Sequence, residues 1–145
     1  MSKSNNHEIE CPECGETQEV TVWDSINVDL DPALREKLFA ADINQYHCSS
    51  CGYEMFLDAP LLYHDMTRQF FVQYHPSSSF DDPDNAFRRY DVTGDLDLTS
   101  SLDMKMHAEK TGKYYLTMPH VVFDMNEMIL YILFREFLYS RGKEA

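Results

Sequence analysis

Positive charge is scarce in this sequence of 145 residues. Lys and Arg total 12 against 25 Asp and Glu, a formal net charge of −13. The shortage is uneven: residues 1–60 hold 12 acidic and 3 basic side chains, or −9, and residues 61–145 hold 13 and 9, or −4. Nucleic-acid binding needs Lys and Arg to displace counterions, and the first 60 residues offer only Lys3, Arg35 and Lys37. The expectation is therefore no nucleic-acid partner. A basic protein surface is the more compatible one.

Long apolar runs are also missing. The longest, MILYILF at 128–134, is far shorter than the roughly 20 residues a bilayer-spanning helix needs. The opening MSKSNNHEIE lacks the basic-then-apolar pattern of a secretory signal. No membrane partner and a cytoplasmic location are expected. No phosphate-binding glycine loop, nucleophile elbow or HExxH motif occurs, and nothing repeats beyond two short cysteine motifs. At 43% hydrophobic and 13% aromatic, the chain has the means to build a core.

Cysteine occurs only four times, as CPECG at 11–15 and CSSCG at 48–52. In a reducing compartment two tight pairs favour metal over structural disulfides. Each Cys-x-x-Cys turn puts two sulfurs on one side of the backbone, so two turns supply four thiolates. That set suits tetrahedral zinc, with Zn–S bonds of about 2.3 Å. Gly15 and Gly52 follow the pairs, where a positive φ lets the chain turn and aim N–H groups at sulfur. The expected site is one structural Zn²⁺ per chain on Cys11, Cys14, Cys48 and Cys51; iron would use the same four sulfurs. Four thiolates against one dication would take residues 1–60 to about −11. Thiol redox chemistry is the weaker alternative, because a redox motif opens a helix and both knuckles here lead into β-patterned sequence. His7 and His47 lie near the knuckles and read as neighbours rather than ligands.

The pattern predicts an α+β fold: a zinc-ribbon-like antiparallel β module with an inserted helix, then an α-rich C-terminal part ending in a long apolar helix. Residues 1–76 form the ribbon-like module and 77–145 an α/β part packing on it as one unit. ETQEVTVW (16–23) alternates as a half-buried strand. Asp31 and Pro32 open a helix over about 31–42 with Leu34, Leu38 and Ala41 on one face. A β-hairpin is expected over about 53–75, joined near HDMT, and a helix start at Asp82-Pro83. Residues 91–113 carry no clear pattern, and Pro119 must break KYYLTMPHVVF.

The last helix starts at Asp124, with Glu127 at capping-pair spacing and Gly142 as its expected stop. Apolar residues lie on nearly every side of it. Leu130, Leu133, Phe134, Phe137 and Leu138 form one face, which predicts cover on at least two sides. Two arrangements meet that need: a central helix sheathed wholly by its own domain, or one face on the sheet and the other on a protein partner or a second subunit related by a two-fold axis.

With both knuckles, VWDSINVDLDPALREKLF and PLLYHD in view, the chain resembles the CpXC domain family over roughly residues 9–76, and loosely beyond. Cys11, Pro12 and Cys14 match the family's Cys-Pro-x-Cys motif; Cys48 and Cys51 match its cysteines, with Ser49 in place of proline. The resemblance implies a fold and a metal site, and no reaction. His64-Asp65 is the one acid–base pair. Neighbours on a strand point to opposite faces, and Asp65 at a hairpin tip reads as a turn residue. The functional expectation is a zinc-stabilised, non-enzymatic protein-interaction module, self-associating or an accessory subunit. The alternatives are an enzyme, or a subunit of one, with a site near His64 and Asp65, or a thiol redox protein. The aspartates at 81, 82 and 84 and at 91, 95 and 97 lack a calcium-loop pattern.

Overall fold

A computed structural model describes residues 2–100 and 102–144. Strand β1 (Lys3–Glu10) and strand β2 (Thr17–Asn27) form an antiparallel hairpin with the first knuckle at its tip. No strand before Cys11 is visible in the sequence pattern, since KSNNHEIE does not alternate. β1 is held by its ladder to β2 rather than by burial, and only Ile9 in it is partly covered. β2 alternates as expected, with Val22 and Ile26 buried and Glu19 and Thr21 exposed.

The second knuckle sits at the tip of a separate two-stranded sheet, β3 (Gln45–His47) against β4 (Glu54–Phe56). This corrects the hairpin expected over 53–75. Residues 54–56 belong to the knuckle, and the hairpin proper is β5 (Leu61–Asp65) with β6 (Phe70–Tyr74). The last residues of β2, Ser25 to Asn27, pair in parallel with Leu62 to His64 of β5. β6 pairs in parallel with β7 (His120–Val122), giving a five-stranded sheet in the order β1-β2-β5-β6-β7. One strand, β2, is thus shared by the ribbon hairpin and the sheet.

Helix α1 (Ala33–Phe39) lies between the knuckles as predicted but is only seven residues long. The Asp31 side chain forms no cap. The helix ends early because Asp42 N–H bonds to the Lys37 carbonyl and Ala41 N–H to that of Leu38, with Ala41 at φ 59°. That pair of bonds is a Schellman stop, built here without glycine. Leu34 and Leu38 are buried.

Helix α2 (Pro83–Ala86) is a single turn, and the Asp82 side chain does not cap it. The unassigned stretch contains α3 (Leu102–Thr111), in which Ala108 is buried. A 3-10 turn at Tyr114–Thr117 precedes Pro119, which separates it from β7 as expected.

Helix α4 (Met125–Glu144) packs on the sheet face that carries Phe70 and Val72. Asp124 caps it, accepting from Asn126 N–H (2.7 Å) and Glu127 N–H (3.4 Å). Gly142 does not stop it. Nor is it the long apolar helix expected. Met128 and Ile132 are its fully buried side chains, and Asn126, Glu127, Arg135, Glu136, Ser140 and Arg141 interrupt its surface. Among the described residues no helix is long and apolar enough to cross a membrane. Met128 and Ile132 join Ile26, Leu34, Leu38, Tyr63, Phe70 and Val72 in the main core. A smaller core of Cys11, Tyr46 and Cys48 lies beneath the knuckles.

Candidate metal centre

The two knuckles are built alike. Cys11 N–H donates to the Glu16 carbonyl and Cys48 N–H to that of Tyr53, both at 2.8 Å. Gly15 N–H donates to the Cys11 carbonyl and Gly52 N–H to that of Cys48, both at 2.9 Å. The turn closes on the residue after the second cysteine, and both glycines take a positive φ, 77° and 80°. A side chain at that φ would be strained, so the glycines expected from the sequence serve the turn itself.

The turns face each other. Cys11 Sγ lies 3.6 Å from Cys51 Sγ, and Cys14 Sγ lies 3.6 Å from Cys48 Sγ. All four sulfurs fall within 4.8 Å of one another. A disulfide would bring two sulfurs to about 2.05 Å, whereas a tetrahedron with bonds of about 2.3 Å has edges of about 3.8 Å. The donor set therefore fits a tetrahedral ion. Each knuckle contributes one buried sulfur residue, Cys11 or Cys48, and one exposed, Cys14 or Cys51.

The four thiols do not ionise alike. The Cys51 N–H, followed by that of Ser50, draws the Cys48 thiol down to about 6 against the effect of burial. At Cys14 the Glu16 N–H also favours the thiolate, but desolvation of its sulfur within the cluster and the sulfurs of Cys48, Cys51 and Cys11 outweigh it and push the thiol up to about 12. Crowded thiolates resist the last deprotonations, and a dication at their centre would relieve them, so loading releases protons.

Two residues that sequence reasoning missed tie the knuckles together. Gln18, on β2, donates to the His47 carbonyl (2.6 Å) and accepts from the Ser49 N–H and hydroxyl (3.0 and 3.1 Å). The first hairpin thereby grips the second on either side of Cys48. Asn44 takes φ 53° and pairs its amide with the Trp23 backbone, accepting at 2.7 Å and donating at 3.0 Å. It acts as a one-residue strand between β2 and the second knuckle. Neither carries a sequence signal, because a Gln on an alternating strand and an Asn in a loop are ordinary. Tyr46 is fully buried beneath Cys11 and Cys48.

The remaining candidates stay outside the sulfur cluster. His7 is exposed on β1, and His47 Nδ1 lies 3.1 Å from Glu54 Oε1. His64 and Asp65 turn to opposite faces of the sheet, as the strand period requires. His64 Nε2 meets the Tyr115 hydroxyl at 2.8 Å, and burial holds its pKa below the usual value. Asp65 is buried, with Oδ1 accepting from Arg68 N–H (2.8 Å) and Oδ2 from Arg68 Nη1 (2.9 Å). It is the hairpin-turn residue its position suggested. Asp91 serves a local turn, accepting from Thr93 and Asp95 N–H.

Together these features define an α+β protein with two Cys-x-x-Cys hairpins converging on a four-sulfur cluster that could hold a metal ion. The family model described as CpXC protein matches residues 9–137, and the chain belongs to that family. The match runs well past residue 76, across α3, β7 and most of α4. Comparison with curated proteins and with solved structures gives no match.

Proposed function

We propose that the chain is a cytoplasmic, zinc-stabilised, non-enzymatic protein-interaction module, self-associating or acting as an accessory subunit. The ion would sit on Cys11, Cys14, Cys48 and Cys51, where four thiolates fill a tetrahedron and leave no position for substrate. Its contribution would be a cross-link between two short hairpins. Zinc is preferred to iron because no other feature of the chain points to electron transfer.

The observation that carries the interaction reading is the outer face of α4. Leu130, Leu133, Phe134, Phe137 and Leu138 are 43–65% exposed, side by side on one helix. Their exposed surface is on the order of 500 Å², within the size range of the largest patch on a soluble monomer, and such patches are often functional. An enzyme site at His64 has less support, since Asp65 points away from it and is engaged by Arg68 on both oxygens. Nucleic acid is not a proposed partner, given the charge of residues 1–60.

Light scattering of the native-purified protein, with elemental analysis of the same sample, tests the reading. The expected result is one zinc per chain and a complex that Leu130→Glu weakens without unfolding the protein. Turnover of a substrate lost with His64→Ala alone would overturn it.

A further inference from the structure

We infer that α4 pairs with α4 of a second copy of this chain, antiparallel, about a two-fold axis at Leu133–Phe134. This rests on the outer face of α4 being the interaction surface, and it names the partner.

The apolar stripe is nearly symmetric end to end. Leu130 and Phe137 stand equally far from the midpoint of Leu133 and Phe134. Beyond them, Glu127 and Arg141 close the two ends, 14 residues or about 21 Å apart along the helix. Both are exposed, and neither has an ion-pair partner among the described residues. The Arg141 guanidinium lies over the Phe137 ring, 5.8 Å from its centroid, which places it on the same face as the stripe.

Charge then chooses the orientation. A parallel copy would set Glu127 near Glu127 and Arg141 near Arg141. An antiparallel copy sets Leu130 opposite Phe137 and each Glu127 beside an Arg141, twice over by symmetry. Helix α4 suits a like-charged neighbour in one further respect. Its three acidic residues (Glu127, Glu136, Glu144) balance its three basic ones (Arg135, Arg141, Lys143), within a chain of −13. Pairing here brings no net like charge together.

The area is adequate but small. Two faces of roughly 500 Å² give about 1,000 Å², the lower bound for a specific interface. A micromolar, reversible dimer is the expected strength. A groove of about 590 Å³ beside Phe134 and Leu138 offers a seat for a side chain of the copy.

The experiment is sedimentation equilibrium on the full-length, metal-loaded protein, with circular dichroism to confirm folding of every variant. Wild type is expected to dimerise at micromolar concentration, and Phe137→Glu or Leu130→Glu to leave a folded monomer. Glu127→Arg and Arg141→Glu should each weaken the dimer about tenfold or more, and the double reversal should restore it to within about threefold of wild type. A dimer broken by Phe137→Glu but indifferent to the charge reversals, or not rescued by the double, overturns the antiparallel arrangement and leaves the interaction face standing. A folded monomer at all concentrations overturns self-pairing and leaves only the accessory-subunit form of the function. A dimer that survives both Phe137→Glu and Leu130→Glu removes the face itself.

Discussion

Arg35 and Glu136 stand 101 residues apart in the chain and meet in two parallel hydrogen bonds, Nε to Oε2 and Nη2 to Oε1, each 2.8 Å long. The contact clasps the helix inserted between the knuckles to the last helix of the chain. The same guanidinium lies over the Phe39 ring at 4.2 Å. Arg35→Ala is expected to lower stability by about 1–2 kcal/mol, read as a shift in urea midpoint at constant m. Arg35→Lys should recover less than half of that, because an ammonium cannot grip both carboxylate oxygens. A lysine variant as stable as wild type would show that only the charge matters.

Metal removal should act first on the second hairpin. β3 and β4 are three residues each, too short to stand without the knuckle that joins them. Chelation is expected to release amide protection at Gln45–His47 and Glu54–Phe56 before it reaches Phe70–Tyr74 in the central sheet, as read by hydrogen exchange. Native-purified protein should hold close to one equivalent of metal. Less than half an equivalent, with the thiols oxidised in pairs, would remove the metal centre.

The Tyr46 hydroxyl is buried without a hydrogen-bond partner among the described residues and lies next to Cys48 and Cys11. Burial, then those two sulfurs, push its own ionisation up. Were thiolates formed around a metal, the hydroxyl could donate to sulfur. Tyr46→Phe is therefore expected to raise the melting temperature of the metal-free protein while weakening metal affinity about tenfold. Unchanged affinity in a chelator competition would show that the hydroxyl does not reach the sulfurs.

His75 gives the fold an acid limit. Its Nε2 meets the Tyr90 hydroxyl at 2.8 Å, its Nδ1 is buried without a partner among the described residues, and the rings of Phe87, Tyr90 and Phe123 surround it. Burial holds its pKa below the usual 6.5. Below about pH 6.5 the unfolded chain takes up a proton that the native chain refuses, so stability falls with pH until the folded pKa is passed. Above pH 6.5 the group contributes no slope. His75→Phe should flatten the dependence between pH 6.5 and 5, measured by urea titration at saturating zinc. His64 and His120, whose pKa values burial also lowers, leave a residual slope. A variant with the slope of wild type would place the acid sensitivity elsewhere.

The four cysteines were legible because ligand chemistry and turn chemistry sit in the same five residues, CPECG and CSSCG. The cap at Asp124 was equally local. What escaped the sequence depends on partners distant in the chain. β1 is almost wholly exposed and exists through its ladder to β2, so no apolar pattern announces it. Among its described side chains α3 buries only Ala108, which leaves its helical period nearly silent. In α4 the apolar residues surround the axis, so the pattern could not say which side meets the sheet. Packing chose Met128 and Ile132 and left Leu130, Phe134 and Phe137 outside. Gln18 and Asn44 matter only because the two hairpins meet.

The sharing of β2 between the ribbon hairpin and the sheet has a kinetic consequence. Pairing Ser25–Asn27 with β5 in parallel requires the chain to bring residue 27 to residue 64, a long closure that slows folding. The β1–β2 hairpin is local and forms early. Once an ion joins Cys14 to Cys48, the end of that hairpin is tethered to the second knuckle, and only the segment 48–64 is left to search. Loading the metal should therefore speed the refolding phase that builds the sheet, in addition to slowing its loss, and a stopped-flow trace would show zinc acting before the rate-limiting step rather than after it.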